Sequence, residues 1–409
     1  MSGFRKGFNT QSALVRLFEI WHELLDNKNT IGSVLMDLSK AFDCVRHDLL
    51  LAKLKAYGLS ESSLKVLFCY LSNRFQRVKI NGTHSRWQKI VAGVPQGSIL
   101  GPLLFNIYLN DLLLFIGPDL CNYADDNTIF KASNDIEYLR RTLQTSLTEI
   151  SAWFVDNGLD LNISKCKYLL LGNRGLNQSL PLEINGILIP PVHEVKLLGI
   201  TVDSQLSFNS YISEICRKAG QKLYALGRLK PYLDKGKLIL LMKSFIISQF
   251  NYCPLIWMFT SRGNNNRINS IHETALRLIE GYSTLDFEEL QAKYNSVSLH
   301  TINIKQLLCM LYKRLHNIGP SYLQETFKLN KTSAINLRNR NDFVLKRVRS
   351  VNHGTETVSF RGPQIWHMLD HEVKTAGSLK EFKNKLKEIR RFPCKCRLCA
   401  KYIKGIGYI

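Results

Sequence analysis

Three aspartates stand where apolar runs would be expected to carry no charge. Asp37 ends the run Ile31-Gly32-Ser33-Val34-Leu35-Met36, and Asp125 and Asp126 sit together in Asn122-Tyr123-Ala124-Asp125-Asp126-Asn127. Unpaired carboxylates in apolar surroundings are costly, and a divalent cation with hard oxygen ligands supplies the compensating charge. One acid at a strand end and two at a hairpin tip suit two such ions ~4 Å apart, an arrangement that activates a hydroxyl nucleophile and steadies a leaving pyrophosphate. An isolated Asp-Asp is usually a solvated turn, so context decides. That context includes Gly93-Val94-Pro95-Gln96-Gly97, whose glycines let backbone approach a ligand and whose Gln96 offers both a donor and an acceptor.

These residues need elements to position them. The apolar run ending at Asp37 reads as a buried strand, and residues 121–130 read as a tight hairpin. A helical pattern covers residues 12–25 before them. Helices are expected over 47–57, closed by Gly58, and over 61–71, opened by Ser60. Period-two patterns on either side of Asn81-Gly82 predict a hairpin, and the 93–97 loop leads into a helix around 101–114. A long amphipathic helix over 136–155 carries Leu139, Leu143, Leu147, Ile150 and Phe154 on one side and should stop at Gly158. Further strands are expected at 165–171 and 195–202, with a small Asn185-Gly186 hairpin between them. After Asp203 helical patterns dominate, at 211–229, 237–250, 265–279 and 299–316.

With 409 residues, the chain exceeds what one core usually organises, so more than one domain is expected. The 45% hydrophobic content excludes a wholly disordered or collagen-like chain. The net charge of +22 points to a polyanionic partner, with nucleic acid the best fit. Residues 328–409 hold 19 Lys and Arg against 6 Asp and Glu, more than half of that surplus. Scattered cysteines and the lack of an apolar leader predict an intracellular chain of the nucleus, the cytoplasm or both, neither secreted nor membrane-bound. Cys394, Cys396 and Cys399 are clustered, with His367 and His371 the histidines considered able to reach back. Three thiols without a near fourth ligand predict a free-thiol basic tail rather than a zinc site.

The motifs together resemble the reverse transcriptase of a non-LTR retrotransposon of the LINE or jockey-like kind. Val34-Leu35-Met36-Asp37-Leu38-Ser39-Lys40-Ala41-Phe42-Asp43 resembles motif A, Gly93-Val94-Pro95-Gln96-Gly97-Ser98-Ile99-Leu100-Gly101-Pro102 motif B, and Tyr123-Ala124-Asp125-Asp126 motif C. Gly158-Leu159 with Asn162 and Lys165 resembles motif D, and Val195-Lys196-Leu197-Leu198-Gly199 motif E. The resemblance spans residues 3–207.

It implies an α+β fold: a right-hand polymerase palm with partial fingers, then a helical thumb and a basic C-terminal region. The expected divisions are a residual fingers segment at 1–30, the palm at 31–205, the thumb at 206–320 and the basic region at 321–409. It further implies Asp37, Asp125 and Asp126 as ligands of two magnesium ions, with manganese as a substitute. Lys165 would approach the triphosphate, and Phe42 would exclude a 2′-hydroxyl. Leu38, Gln96, Tyr123 and Ala124 would contact the nucleotide. Pro95, Gly97, Leu198 and Gly199 would contact template or primer. The implied partners are an RNA template, a DNA primer and deoxynucleoside triphosphates. The segment before Gly3-Phe4-Arg5-Lys6-Gly7, which would complete the fingers, and the family's endonuclease have no counterpart in the sequence. The alternative expectation is therefore a non-catalytic nucleic-acid-binding remnant.

Overall fold

The computed structural model describes residues 2–172, 180–330 and 343–399, together with the backbone of 402–403 and 407–408. Parts of the basic C-terminal region, 331–342 and most of 400–409, lie outside the described residues. The chain divides into two compact units: Met1–Asn9 with Asn29–Val195, and Thr10–Lys28 with Lys196–Ile409.

The first unit is built on a five-stranded sheet ordered Pro191–Val192, Lys167–Leu171, Thr30–Met36, Asp126–Ser133, Leu120–Tyr123. All neighbours are antiparallel except the first pair. Thr30–Met36 is central, which is why it reads as a nearly continuous apolar run. The helix Ile136–Asp156 starts at Asp135, whose carboxylate accepts the N–H groups of Glu137 and Tyr138. Its expected apolar face is entirely buried. A Cβ at Gly32 would come within 2.8 Å of Leu143 Cδ2, so the central strand keeps a glycine where this helix presses closest.

The two Asn-Gly hairpins form as expected, with Asn81, Gly82, Asn185 and Gly186 all at positive φ. The helices His47–Ala56 and Glu61–Leu71 also form, the second capped by Ser60 accepting from the N–H of Ser63. The expected helix around 101–114 is two helices, Leu100–Tyr108 and Asn110–Ile116, that break at Leu109.

The second unit is predominantly helical. Asn209–Leu229 packs on Arg262–Glu280, and Leu299–Leu315 packs on Val358–His367 and Leu379–Glu388. The helix expected over 237–250 is α-helical only over Lys235–Leu241, then passes into a π turn and a 3-10 turn. Residues 195–202 do not form one strand. They split into the hairpin Glu194–Leu197 and Ile200–Asp203, with Leu198 (φ 44°) and Gly199 (φ 85°) in the turn. Gly199 accepts this left-handed backbone freely, and that interrupts the apolar run.

The basic region shares its core with the helix Leu299–Leu315: Phe382 stacks on Tyr312 at 4.5 Å, and Trp366 is buried. The helix Thr10–Asp26 is tied into it. The buried carboxylate of Glu19 accepts from the N–H groups of Val358 (3.1 Å) and Ser359 (3.3 Å), capping a helix far along the chain. Asp26 does the same for Arg349 and Ser350. Among the described residues no helix is long and apolar enough to cross a membrane.

Candidate active site

Register brings the three aspartates to one end of the sheet. Met36 pairs with Asn127, so the next residues along the two strands are Asp37 and Asp126. Tyr123 pairs with Asp126, leaving Ala124 and Asp125 as the turn. Ala124 has φ 57°, a left-handed conformation that costs a residue with a Cβ roughly 1–2 kcal/mol. The surrounding structure must hold it there.

Asparagine side chains do much of that. Asn122 Nδ2 donates to Ala124 O (2.9 Å) and to Asn127 Oδ1 (2.8 Å), and Asn127 Nδ2 donates to Asp125 O (2.9 Å). Both asparagines are almost completely buried. On the other side Ser2 N–H donates to Asn122 O, and a Cβ at Gly3 would stand 2.8 Å from Ala124 N. Asn106 in turn fixes Gly3 by donating to its carbonyl. The sequence reading missed Asn106, Asn122, Asn127 and Gly3 as positioning residues. The signal for two of them was a symmetric pair of asparagines flanking Tyr-Ala-Asp-Asp on strand faces that should be apolar.

Asp125 and Asp126 are exposed and Asp37 is partly exposed, so these carboxylates stand at the rim of the core rather than inside it. Partial desolvation of its carboxyl at the sheet end, then the charges of Asp125 and Asp37, raise the pKa of Asp126 above the ordinary 3.8. The three side chains thus concentrate negative charge at one end of the sheet, and their donors are all hard carboxylate oxygens. Both properties fit a divalent cation.

The segment resembling motif D lies against Asp37. Asn162 N–H donates to Asp37 O (2.9 Å), Ser39 N–H donates to Asp160 O (2.8 Å), and Leu38 bridges to Leu161. Lys165 Nζ comes within 3.1 Å of Asp37 Oδ2, a solvent-exposed ion pair of small energetic weight. Asp37, Asp125 and Asp126 do not converge on one point. Among the described residues, the group of His, Cys, Asp or Glu donor atoms that does converge lies elsewhere, at His300 and the C-terminal cysteines.

The 93–97 loop is stitched to the turn that follows Asp37. Gly93 N–H donates to Val45 O, Val94 N–H donates to Phe42 O, and Gln96 Nε2 donates to Asp43 Oδ1 at 3.0 Å. Pro95 O accepts from Ser98 Oγ, while Gln96 and Gly97 are exposed. Phe42, on the 3-10 turn Ala41–Asp43, stacks on Phe105 at 4.2 Å and meets the edge of Phe4. Leu38 and Ala124 are buried, so only their backbone can face a ligand, and Tyr123 is half-buried. Leu198 and Gly199 belong to the second unit.

Residues 1–202 match the family described as "Reverse transcriptase (RNA-dependent DNA polymerase)". The chain is 30% identical over 298 residues to the Drosophila melanogaster protein named "Probable RNA-directed DNA polymerase from transposon BS", covering 68% of this chain and 32% of the relative. It is 29% identical over 290 residues to the RNA-directed DNA polymerase from mobile element jockey of Drosophila funebris, covering 68% and 31%. The chain therefore spans about a third of the length of these relatives. Among solved structures, telomerase from Candida tropicalis, in complex with a fragment of telomeric RNA, matches over 75% of this chain and 51% of that one. The identity is 13% and the TM-score 0.39.

Proposed function

Since this chain belongs, through residues 1–202, to the reverse transcriptase family, we propose that it extends a DNA 3′ end on an RNA template by nucleotidyl transfer. It would do so inside the cell, as the polymerase of a LINE or jockey-like mobile element. The observation that carries this reading is the register placing Asp37 beside Asp126 and next to the Asp125 turn. Reverse transcriptases use divalent metals, and Asp37, Asp125 and Asp126 are the residues that would hold magnesium here. Held by these carboxylates, such an ion would supply activation of the primer hydroxyl and neutralisation of charge on the leaving pyrophosphate.

The chain's own residues do the rest. Lys165, exposed and paired with Asp37, would release it and approach the triphosphate as a cation. Gln96 and Gly97 offer an exposed edge to the nascent base pair, with Pro95 keeping the loop's shape. The basic helix Asn209–Leu229, with Arg217, Lys218, Lys222 and Arg228, is a candidate surface for duplex backbone. In the second unit, Leu198 and Gly199 are assigned to the primer as a hairpin turn. The direct test is extension of a DNA primer on an RNA template with magnesium and deoxynucleotides. Magnesium-dependent extension supports the proposal. Salt-sensitive duplex binding without extension would replace it with the non-catalytic remnant.

Two further outcomes are expected. Phe42→Val should weaken discrimination against ribonucleotides by roughly 10- to 100-fold, the range over which a small change in pocket volume acts. Incorporation of matched ribo- and deoxynucleotides gives the ratio, and an unchanged ratio would remove Phe42 from the sugar contact. The second concerns Asp126. Because its folded-state pKa is raised, the chelator-treated protein should lose this carboxyl's contribution to stability as pH rises from near 3.8 through the raised value. Asp126→Asn should therefore melt higher than wild type at pH ~7 in chelator, with the difference vanishing at pH ~3. Melting curves at both pH values decide it, and a mutant less stable at neutral pH would contradict a carboxylate destabilised by desolvation and by its acidic neighbours.

A further inference from the structure

The three clustered cysteines of the C-terminal segment do have a fourth donor beside them. His300, in the first turn of the helix Leu299–Leu315, brings its Nε2 within 3.4 Å of Cys396 Sγ, across 96 residues of sequence. The ligand atoms of His300, Cys394, Cys396 and Cys399 all lie within 4.8 Å of one another. Neither His367 nor His371 is part of the group. His300, Cys394 and Cys396 are 8%, 8% and 0% exposed, while Cys399 is exposed and leaves a route in from solvent.

We propose that these four residues bind one zinc ion that staples the C-terminal segment to the helix Leu299–Leu315. Three thiols and one imidazole form a soft donor set that suits zinc and not the hard magnesium proposed for the aspartates. Zn–S bonds of about 2.3 Å and a Zn–N bond of about 2.0 Å require S···S separations of about 3.8 Å and S···N separations of about 3.5 Å. The observed His300 to Cys396 distance of 3.4 Å already meets the second value, and the sulfurs, all within 4.8 Å of one another, stand close to the first. Four protein ligands close the coordination sphere, so the ion is structural and holds no position for a substrate.

The segment is shaped for this role by contacts that do not involve the thiols. Cys399 N–H donates to Cys396 O at 3.0 Å, closing a tight turn that points two sulfurs the same way. Between them Arg397 is anchored: its N–H donates to Glu356 Oε1 at 3.2 Å, and its carbonyl accepts from Arg262 Nε at 2.6 Å. His300 has its polar contact only at Nε2. Its Nδ1 is buried with no hydrogen-bond partner, and its ring meets Phe259 edge-on at 6.1 Å. A ring so placed gains little from its surroundings except through the nitrogen aimed at the sulfurs.

The test is elemental analysis of the full chain purified under reducing conditions from zinc-supplied cells. One zinc per chain is expected, and Asp125→Asn should not change it. Cys399→Ser and His300→Ala should each lower it to a small fraction of one, while His300→Cys should restore it. Cobalt in place of zinc should give the intense absorption of a tetrahedral thiolate site. Because Cys399 is exposed, its substitution reads ligation even if His300→Ala disturbs the helix. A folded wild-type chain with no stoichiometric zinc would overturn the proposal. So would full zinc retention with an unchanged cobalt spectrum in His300→Ala, or a disulfide among the three cysteines found by mass.

Discussion

Asp125→Asn is expected to lower nucleotide incorporation by at least ~10³-fold, or about 4 kcal/mol of transition-state stabilisation, while leaving the fold intact. The substitution keeps size and removes charge. Asp125 is exposed and its backbone carbonyl, not its side chain, accepts the hydrogen bond from Asn127. Nothing in the turn therefore depends on the carboxylate, and lifting its repulsion of Asp126 can only help the metal-free chain. Single-turnover incorporation, duplex binding and a melting curve on the same preparation separate the effects. A large loss of rate with unchanged binding and melting is the expected triplet. A mutant that melts far lower would mean the carboxylate is structural.

Gly93→Ala is expected to destabilise the chain by about 3 kcal/mol, from a left-handed backbone joined to a clash that no side-chain rotation relieves. Gly93 has φ 88°, and a Cβ there would stand 2.8 Å from both Cα and O of Asp43. Those are backbone atoms of the turn that carries Phe42, and they cannot swing aside as a side chain would. Relief must come from moving the loop, which would break the Gln96 to Asp43 hydrogen bond and the pairing of Val94 with Phe42. Activity should fall with stability. Gly97→Ala is the control, since Gly97 has φ 78° but open space around the Cβ position. It should cost only about 1 kcal/mol. Urea unfolding of the two variants gives the comparison, and equal losses would show that the approach to Asp43 is not what the glycine serves.

The parts of this site legible in sequence were those with a local cause. An acid ending an apolar run, Asn-Gly pairs at hairpins and Ser60 before a helix each report a backbone demand within a few residues. The three aspartates were found this way, although the cost of burying them was overestimated, because they project from the sheet end into solvent. What stayed hidden depends on distant partners. Asn122 and Asn127 are needed because Ala124 is held in a left-handed turn, which no composition signal announces. Glu19 falls inside the helical pattern over 12–25 with nothing local to mark it, yet it is buried as the cap of Val358–His367. Its partner lies more than three hundred residues away. His300 was invisible beside Cys394, Cys396 and Cys399 for the same reason. Leu198 and Gly199 were read as strand because the apolar pattern continues through them, and the glycine was the only mark of the turn.

The central claim is that Asp37, Asp125 and Asp126 form a metal-dependent nucleotidyl-transfer site. The measurement that tests it most directly is incorporation of one deoxynucleotide onto a DNA primer annealed to RNA, followed as magnesium is titrated from chelator to saturation. Wild type and Asp125→Asn are run together. The account predicts no product in chelator, a saturable rise with magnesium in wild type, and no rise in the mutant at equal duplex occupancy. Incorporation that persists in chelator, or a mutant that follows the wild-type curve, would contradict it.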